Sequence, residues 1–230
     1  MTKILVTFLT LSYMLIADAL PTTITTTIAN VNSNGEIQLS SSVPAGMSGI
    51  VIHNYGNALS AISNATVSKG NGQASLQEYR AILHENIPNI QTLAQKGDKV
   101  VFGNFYNNVL LIAPNESTYR AITSRYAKTW VHPDAYALDF MKEESVALNK
   151  ESLKKFAQLN QVGLVLIVAQ NRLLILDPIS QQFLGEMPTS SNQEKAMAPF
   201  YARFEQMDTS TFGFSNTNYT PYFQSIAGLK

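Results

Sequence analysis

Short stretches of strand-like sequence, separated by glycine and asparagine turns, fill residues 43–115 and constrain the fold more than any other feature. Five stretches have the length and composition of strands: residues 49–55, 61–67, 73–79, 98–105 and 109–113. The triplet Gly70-Asn71-Gly72 lies between two of them and is typical of a hairpin turn that needs positive φ angles. The pattern predicts a small β-barrel or a rolled antiparallel sheet.

Helical periodicity replaces the strand pattern after residue 114. Asn115 is suited to cap a helix that runs to residue 128. Pro133 is suited to the first position of a second helix, which ends near residue 142, because this position needs no backbone N–H. The sole tryptophan, Trp130, lies between these two helices and is expected to be mostly buried against the apolar segment that follows.

A third helix is predicted over residues 150–159, with Lys154 and Lys155 on its polar face. Residues 162–169 and 173–176 then form an apolar hairpin, which is expected to be central and covered by helices because it is apolar on both faces. Beyond residue 188 the sequence is polar and aromatic, and a short helix is predicted around residues 197–204.

Together these patterns predict an α+β fold in which a small barrel or rolled antiparallel sheet is followed by a subdomain of helices and a β-hairpin. The main domain is expected to span residues 43–187, with a β-rich part over 43–115 and an α+β part over 116–187. Residues 20–42 are interpreted as an extended, strand-like arm. Residues 188–230 are interpreted as a C-terminal tail with a short helix.

The first nineteen residues have the pattern of a secretory signal peptide. Lys3 precedes a mostly apolar run over residues 4–16, and Ala17-Asp18-Ala19 supplies the small residues that signal peptidase requires. The alternative is a membrane anchor, but thirteen helical residues span only about 20 Å, against a hydrocarbon core of about 30 Å. The sequence therefore predicts cleavage near Ala19 and export to the periplasm or the cell surface.

Charge and cysteine content exclude several classes of function. The chain has 16 basic and 16 acidic residues, so it offers no net positive charge to attract nucleic acid or anionic lipid. It has no cysteine, which excludes disulfides, thiolate-bound metal and lipidation of a cysteine at a new N-terminus. No later segment is a candidate membrane span, since residues 170–172 interrupt the most apolar stretch.

Candidate catalytic and metal motifs are better explained by local structure. Ser48 lies in Gly46-Met47-Ser48-Gly49-Ile50, where a serine nucleophile turn would need glycine in place of Ile50. His132-Pro133-Asp134 resembles the loop tripeptide of Hsp70 co-chaperones, but that module is almost wholly helical and the flanking β pattern contradicts it, so the tripeptide is interpreted as a helix start with Pro133 first and Asp134 complementing the helix dipole. His53, His84 and His132 are too scattered to indicate a metal site. No catalytic, cofactor or metal residue is predicted, and no enzyme activity is expected.

Five short motifs, in this order, resemble one known family. They are residues 46–53, residues 97–100, residues 110–115 together with Tyr119, residues 130–134, and residues 162–164 together with 174–177. The set is similar to the N-terminal domain of the plasminogen-binding proteins A of epsilon-class proteobacteria such as Helicobacter and Campylobacter. The resemblance covers roughly residues 43–187 and implies a non-enzymatic envelope protein.

The resemblance implies host plasminogen as a protein partner. Family members named for this binding carry a long lysine-rich C-terminal region that ends in lysine, and this sequence ends in Lys230. Kringle modules of plasminogen bind such a lysine through its ammonium and carboxylate, so Lys230 is the candidate contact, with Lys154 and Lys155 as internal alternatives. The alternative function is a periplasmic scaffold component of an envelope machine such as the flagellar motor, which would use the aromatic tail.

Overall fold

The structure, a computed structural model, describes residues 20–79, 92–142, 148–190, 195–203 and 219–229. Its strands are β1 (Ile24–Val31), β2 (Glu36–Leu39), β3 (Ser48–Gly56), β4 (Leu59–Gly70), β5 (Gln73–Gln77), β6 (Lys99–Phe102), β7 (Asn108–Ile112), β8 (Thr129–Val131), β9 (Leu164–Ala169), β10 (Arg172–Asp177) and β11 (Gln182–Pro188). Its helices are α1 (Glu116–Thr123), α2 (Pro133–Lys142), α3 (Lys150–Asn160) and α4 (Tyr219–Ala227). None of the helices within these ranges is long and apolar enough to cross a membrane.

The first six strands close into an antiparallel barrel in the order β1-β2-β5-β4-β3-β6. The turn between β4 and β5 has the positive φ angles predicted for Gly70, Asn71 and Gly72, at 81°, 52° and 72°. The barrel is followed by a second sheet and by helices, so the predicted α+β fold with a small barrel is confirmed.

Residues 20–42 differ from the predicted arm. They supply β1 and β2, and β1 closes the barrel by pairing with β6 from Ile24 opposite Phe102 to Thr27 opposite Lys99. The reason is burial, since Ile28 and Ile37 are each only 1% exposed in the core. The predicted strand over residues 109–113 also lies elsewhere, because β7 belongs to the second sheet.

The second sheet has the order β11-β10-β9-β7-β8, with β7 parallel to β8 and β9. The predicted apolar hairpin is β9 and β10, and β9 occupies the central position. Side chains alternate along it: Leu164 and Leu166 face the core shared with the barrel, whereas Val165 and Ile167 face the core beneath the helices. Helices therefore cover one face of the hairpin, and the barrel covers the other.

Helix boundaries follow their capping residues. The side chain of Asn115 accepts the N–H of Thr118 at the start of α1, and the side chain of Asn149 accepts the N–H of Ser152 at the start of α3. α2 begins at Pro133 as predicted. α1 ends at Thr123 instead of residue 128, because the chain must turn to bring β8 beside β7.

Trp130 lies on the short edge strand β8. It packs against the apolar hairpin through the core that contains Leu164 and Leu173, and it is mostly but not fully buried, as predicted. An edge position leaves one side of the ring without a neighbouring strand.

The predicted helix at residues 197–204 is wrong over its described part, since residues 195–203 are irregular. The backbone N–H groups of Met197 and Tyr201 donate to the carbonyls of Pro114 and Ala113, at 2.7 and 2.8 Å, and so cannot make helical bonds. The helix of this region is α4. Its Tyr222 is fully buried, and the hydroxyl donates to the carbonyl of Val168 at 2.7 Å.

A buried carboxylate joins the barrel to the second sheet. Asp177, at the end of β10, is 0% exposed. Its Oδ2 accepts hydrogen bonds from the backbone N–H of Ser48 at 2.8 Å and from the hydroxyl of Tyr106 at 2.6 Å. Its Oδ1 accepts the N–H groups of Ile179 and Ser180, at 2.9 and 3.0 Å. Four donors thus compensate for the burial of this charge.

Candidate binding surface

A cleft of about 870 Å³ lies between the outer face of the barrel and α3. This volume is within the range of about 300–1,000 Å³ that ligand sites commonly have. One wall belongs to the barrel and the other to the helical layer, so the position of Asp177 at their junction helps to fix the width of the cleft.

The barrel wall is built around a row of side chains that cross three strands. Ile50 on β3 is opposite Ala65 on β4, and Ala65 is opposite Gln77 on β5. All three line the cleft. Ala65 occupies the middle of this row, and its small side chain leaves space in the cleft at the centre of the barrel wall.

The floor depends on a close approach of two backbone segments. A Cβ atom at Gly163 would lie 2.2 Å from the carbonyl carbon of Phe105, which no side chain can accommodate. Glycine therefore lets the turn before β7 contact the start of β9. This contact presents Phe105, which is 39% exposed, at the edge of the cleft.

The opposite wall is the outer face of α3. Its inner face is anchored by Phe156, which is 3% exposed, and by Ser152, whose hydroxyl hydrogen-bonds to that of Tyr136 at 2.7 Å. With the helix fixed in this way, half-buried Lys154 lines the cleft, and Leu159 at its edge is 78% exposed.

The charged residues of the cleft differ in their pairing. Glu78, Asp139 and Lys155 all line it, and each of them interacts with other groups of the protein. Lys154 has no hydrogen bond or ion pair within the described ranges of the chain. The sequence predicted that Lys154 and Lys155 share the polar face of a helix, and the structure adds that they have different surroundings.

A second polar cluster lies where β7 and β8 end. The backbone N–H of Asp134 donates to Nδ1 of His132 at 3.2 Å, and the carboxylate of Asp134 accepts both the N–H and Nε–H of Arg203, each at 2.7 Å. The rings of Tyr119 and Tyr201 lie 5.2 and 6.2 Å from that of His132. The cluster joins α2 to residues 195–203 and has the character of a structural contact.

Partial burial lowers the pKa of His132, although the nearby Asp134 carboxylate opposes this effect. Burial alone would raise the pKa of Asp134, but the hydrogen bonds from Arg203 outweigh it and lower that pKa. His132-Pro133-Asp134 is therefore a helix start with an ion pair, in agreement with the interpretation from sequence.

The other predicted candidates do not converge. Nδ1 of His53 lies 2.8 Å from Oδ1 of Asp98, a pair that sequence reasoning missed because 45 residues separate its members. Ser48 is used through its backbone N–H, and Gly46, with φ of 87°, forms the turn before β3. His84 lies outside the described residues. Within the described ranges, no three histidine, aspartate or glutamate side chains are grouped to hold a metal ion.

The family model described as "Plasminogen-binding protein pgbA N-terminal" matches residues 23–227. The chain belongs to this family. The resemblance found in the sequence is confirmed, and the match extends beyond the predicted range of 43–187 on both sides. It includes β1 and α4, so the whole barrel and the helical layer lie within the PgbA N-terminal family match.

Two curated relatives are each named plasminogen-binding protein PgbA, from Helicobacter pylori strains J99 and 26695. Each is 28% identical to this chain over 168 residues, which cover 70% of the chain and 36% of the relative. The chain thus spans about a third of the length of the curated relatives it matches. No solved structure matches it significantly.

The predicted contact residue of the PgbA family resemblance, Lys230, lies outside the described residues, as does the predicted signal peptide over residues 1–19. The internal alternatives, Lys154 and Lys155, are described and lie side by side on α3. The candidate surface of this PgbA-family chain is therefore α3 with its adjoining cleft.

Proposed function

We propose that this chain is an exported, non-enzymatic binding protein whose partner is plasminogen, and that Lys155 on α3 is its internal contact. Membership of the PgbA N-terminal family and the names of its curated relatives support a protein partner. The observation that carries the choice of Lys155 is its exposed position on a helix that is firmly anchored by Phe156.

The neighbourhood of Lys155 suits a module that recognises lysine. A kringle reads an ammonium group together with a carboxylate. Glu151 precedes Lys155 by four residues, a spacing that places two side chains on the same face of a helix. Nε2 of Gln181 donates to the Glu151 carboxylate at 3.0 Å and holds it in place. An exposed lysine beside a fixed carboxylate offers the two charges of a terminal lysine without requiring a chain end.

The test is binding to immobilised plasminogen, with a lysine analogue as competitor. Lys155→Gln is expected to weaken binding about tenfold, the effect of one lost charge-assisted contact. Lys99→Gln is the matched control, because Lys99 is an exposed lysine on barrel strand β6. Equal binding by both variants would refute the role of Lys155, and binding that the analogue does not compete would refute recognition of lysine.

Lys230 is the second candidate contact and needs a separate variant. If Lys230 is the ligand, Lys230→Gln removes the ammonium group that a kringle reads, and binding is lost while Lys155→Gln has no effect. Loss of binding in Lys155→Gln alone would instead place recognition on α3. No binding by the unmodified protein would refute plasminogen as a partner.

Export follows from the predicted signal peptide. We expect the mature protein to begin at Leu20, after removal of residues 1–19. Leu20 is 5% exposed, so the new terminus would lie against the barrel core. N-terminal sequencing of the protein recovered from the periplasm or cell surface tests this, and a retained Met1 would contradict it.

A further inference from the structure

The cleft beside α3 contains polar groups that the protein itself does not use. Lys154 has no hydrogen bond or ion pair within the described ranges, whereas Glu78 and Asp139 each interact with other groups of the protein. The side-chain amides of Gln77, Asn104, Gln158 and Gln161 also line the cleft, and none has a hydrogen-bond partner among the described residues.

We propose that this cleft binds an extended peptide segment in which an acidic residue is flanked by apolar residues. The site goes beyond plasminogen binding and depends on a different residue. Both lysines line the cleft, but Lys154 is half-buried without a partner in the described ranges, whereas the proposed plasminogen contact, Lys155, is exposed and interacts with other groups of the protein.

The ammonium group of Lys154 favours an acidic residue at the centre of the peptide. The half-buried ammonium group of Lys154, which has no counter-ion among the described residues, favours a carboxylate, because the attraction between opposite charges strengthens where water is partly excluded. Glu78, Asp139 and Lys155 each interact with other groups of the protein, so Lys154 is the charged residue of the cleft that lacks a partner among the described residues.

Exposed apolar side chains at the cleft favour apolar residues on either side of the acidic residue. Phe105 is 39% exposed and Leu159 is 78% exposed, and both border the cleft together with Ile50 on the barrel. Apolar side chains on either side of the bound carboxylate would cover these groups and gain about 25 cal/mol for each Å² removed from water.

The four carboxamides favour a peptide over a lipid. An amide side chain both donates and accepts hydrogen bonds, and it therefore matches the N–H and C=O groups of an extended backbone. A fatty acyl chain would cover the same amides without bonding them, which costs free energy for each one. The cleft volume of about 870 Å³ also suits several peptide residues more than a single small anion.

The experiment measures fluorescence polarisation of labelled pentapeptides mixed with the full chain. The probe is Gly-Leu-Glu-Leu-Gly with capped ends, and its counterpart has glutamine in place of glutamate. The Glu peptide is expected to bind about tenfold more tightly than the Gln peptide, as one charge-assisted contact provides. Equal affinities, or no binding of the Glu peptide at millimolar concentration, would overturn the proposal.

Variants locate the site. Lys154→Gln should abolish the preference for the Glu peptide, and Ala65→Phe should prevent binding by filling the middle of the barrel wall. Lys99→Gln, which changes an exposed lysine outside the cleft, should preserve the preference. Unchanged circular dichroism and unfolding midpoints establish that the variants are folded. If Lys154→Gln leaves the preference intact, the assignment is wrong. Tighter binding to vesicles of phosphatidylglycerol that depends on Lys154 would also overturn it, in favour of a lipid.

Discussion

The hydroxyl of Tyr106 gives the sharpest test of how the barrel is joined to the second sheet. It donates to Oδ2 of Asp177 at 2.6 Å, and the two residues are 1% and 0% exposed. Burial, together with the Asp177 carboxylate, holds the pKa of Tyr106 far above its ordinary value. The hydroxyl therefore keeps its proton at neutral pH and acts as a donor.

Tyr106→Phe removes this donor and leaves the ring in place. A hydrogen bond to a charged group contributes about 1.5–3 kcal/mol. Oδ2 of Asp177 keeps the N–H of Ser48, and Oδ1 keeps two further donors, so the carboxylate is weakened but not left without partners. We expect the free energy of unfolding to fall by about 2 kcal/mol, which lowers the midpoint by about 4–8 °C in a chain of this size.

Urea unfolding followed by circular dichroism measures this loss, provided that the slope with denaturant is unchanged. Tyr222→Phe is a matched control, because its buried hydroxyl donates to the neutral carbonyls of Val168 and Ile112. Its loss should cost only about 1 kcal/mol. In a background of Asp177→Asn, Tyr106→Phe should have little further effect. A cost below about 0.5 kcal/mol in the unmodified background would refute the joining role of the pair.

Three further predictions concern other parts of the fold. Burial lowers the pKa of His132 below its ordinary value of 6.5, so the free energy of unfolding should be highest above pH 6.5 and should fall as the pH drops below it. His132→Asn should reduce this fall, measured as the difference in the free energy of unfolding between pH 7 and pH 5. Gly163→Ala should lower the free energy of unfolding by more than about 3 kcal/mol, because the Cβ of the new alanine would overlap Phe105. Gly185 has open space around it, so Gly185→Ala should leave the free energy of unfolding nearly unchanged. Trp130→Ala should lower the free energy of unfolding by about 3 kcal/mol, since the ring is mostly but not fully buried, and an unchanged unfolding midpoint would contradict its packing against the hairpin.

Local signals predicted the elements that depend on neighbouring residues. Capping by Asn115 and a proline at position 133 located two helix starts, and the apolar runs of β9 and β10 located the central hairpin. Closure of the barrel escaped prediction because β1 pairs with β6, more than seventy residues away, and no local pattern specifies that pairing. Residues 20–42 are mostly polar, and this composition does not suggest strands of a core. A few apolar side chains, such as Ile28 and Ile37, are enough to fill one side of a small barrel.

The candidate site was predictable only in part, for the same reason. The helical period placed Lys154 and Lys155 on one face of α3, but the wall opposite them comes from three barrel strands. The pairs His53–Asp98 and Tyr106–Asp177 join residues 45 and 71 positions apart. One signal was present: a glycine immediately before an apolar strand, as at position 163, indicates a close approach of backbone segments.

One wall of the cleft belongs to the barrel and the other to the helical layer, so the width of the cleft depends on how the two layers are joined. Both layers contribute polar groups to the cleft, because Lys154, Gln158 and Gln161 belong to α3 or its C-terminal end while Gln77 and Asn104 belong to the barrel side. A peptide that contacts both walls therefore binds only when the walls keep their spacing, and it stabilises that spacing in return. The Asp177 junction and the close backbone approach at Gly163 set this spacing at the floor of the cleft, which Ser48, Tyr106 and Gly163 themselves line. A loss of stability at the junction should consequently weaken peptide binding in the cleft before it affects any contact made by exposed Lys155.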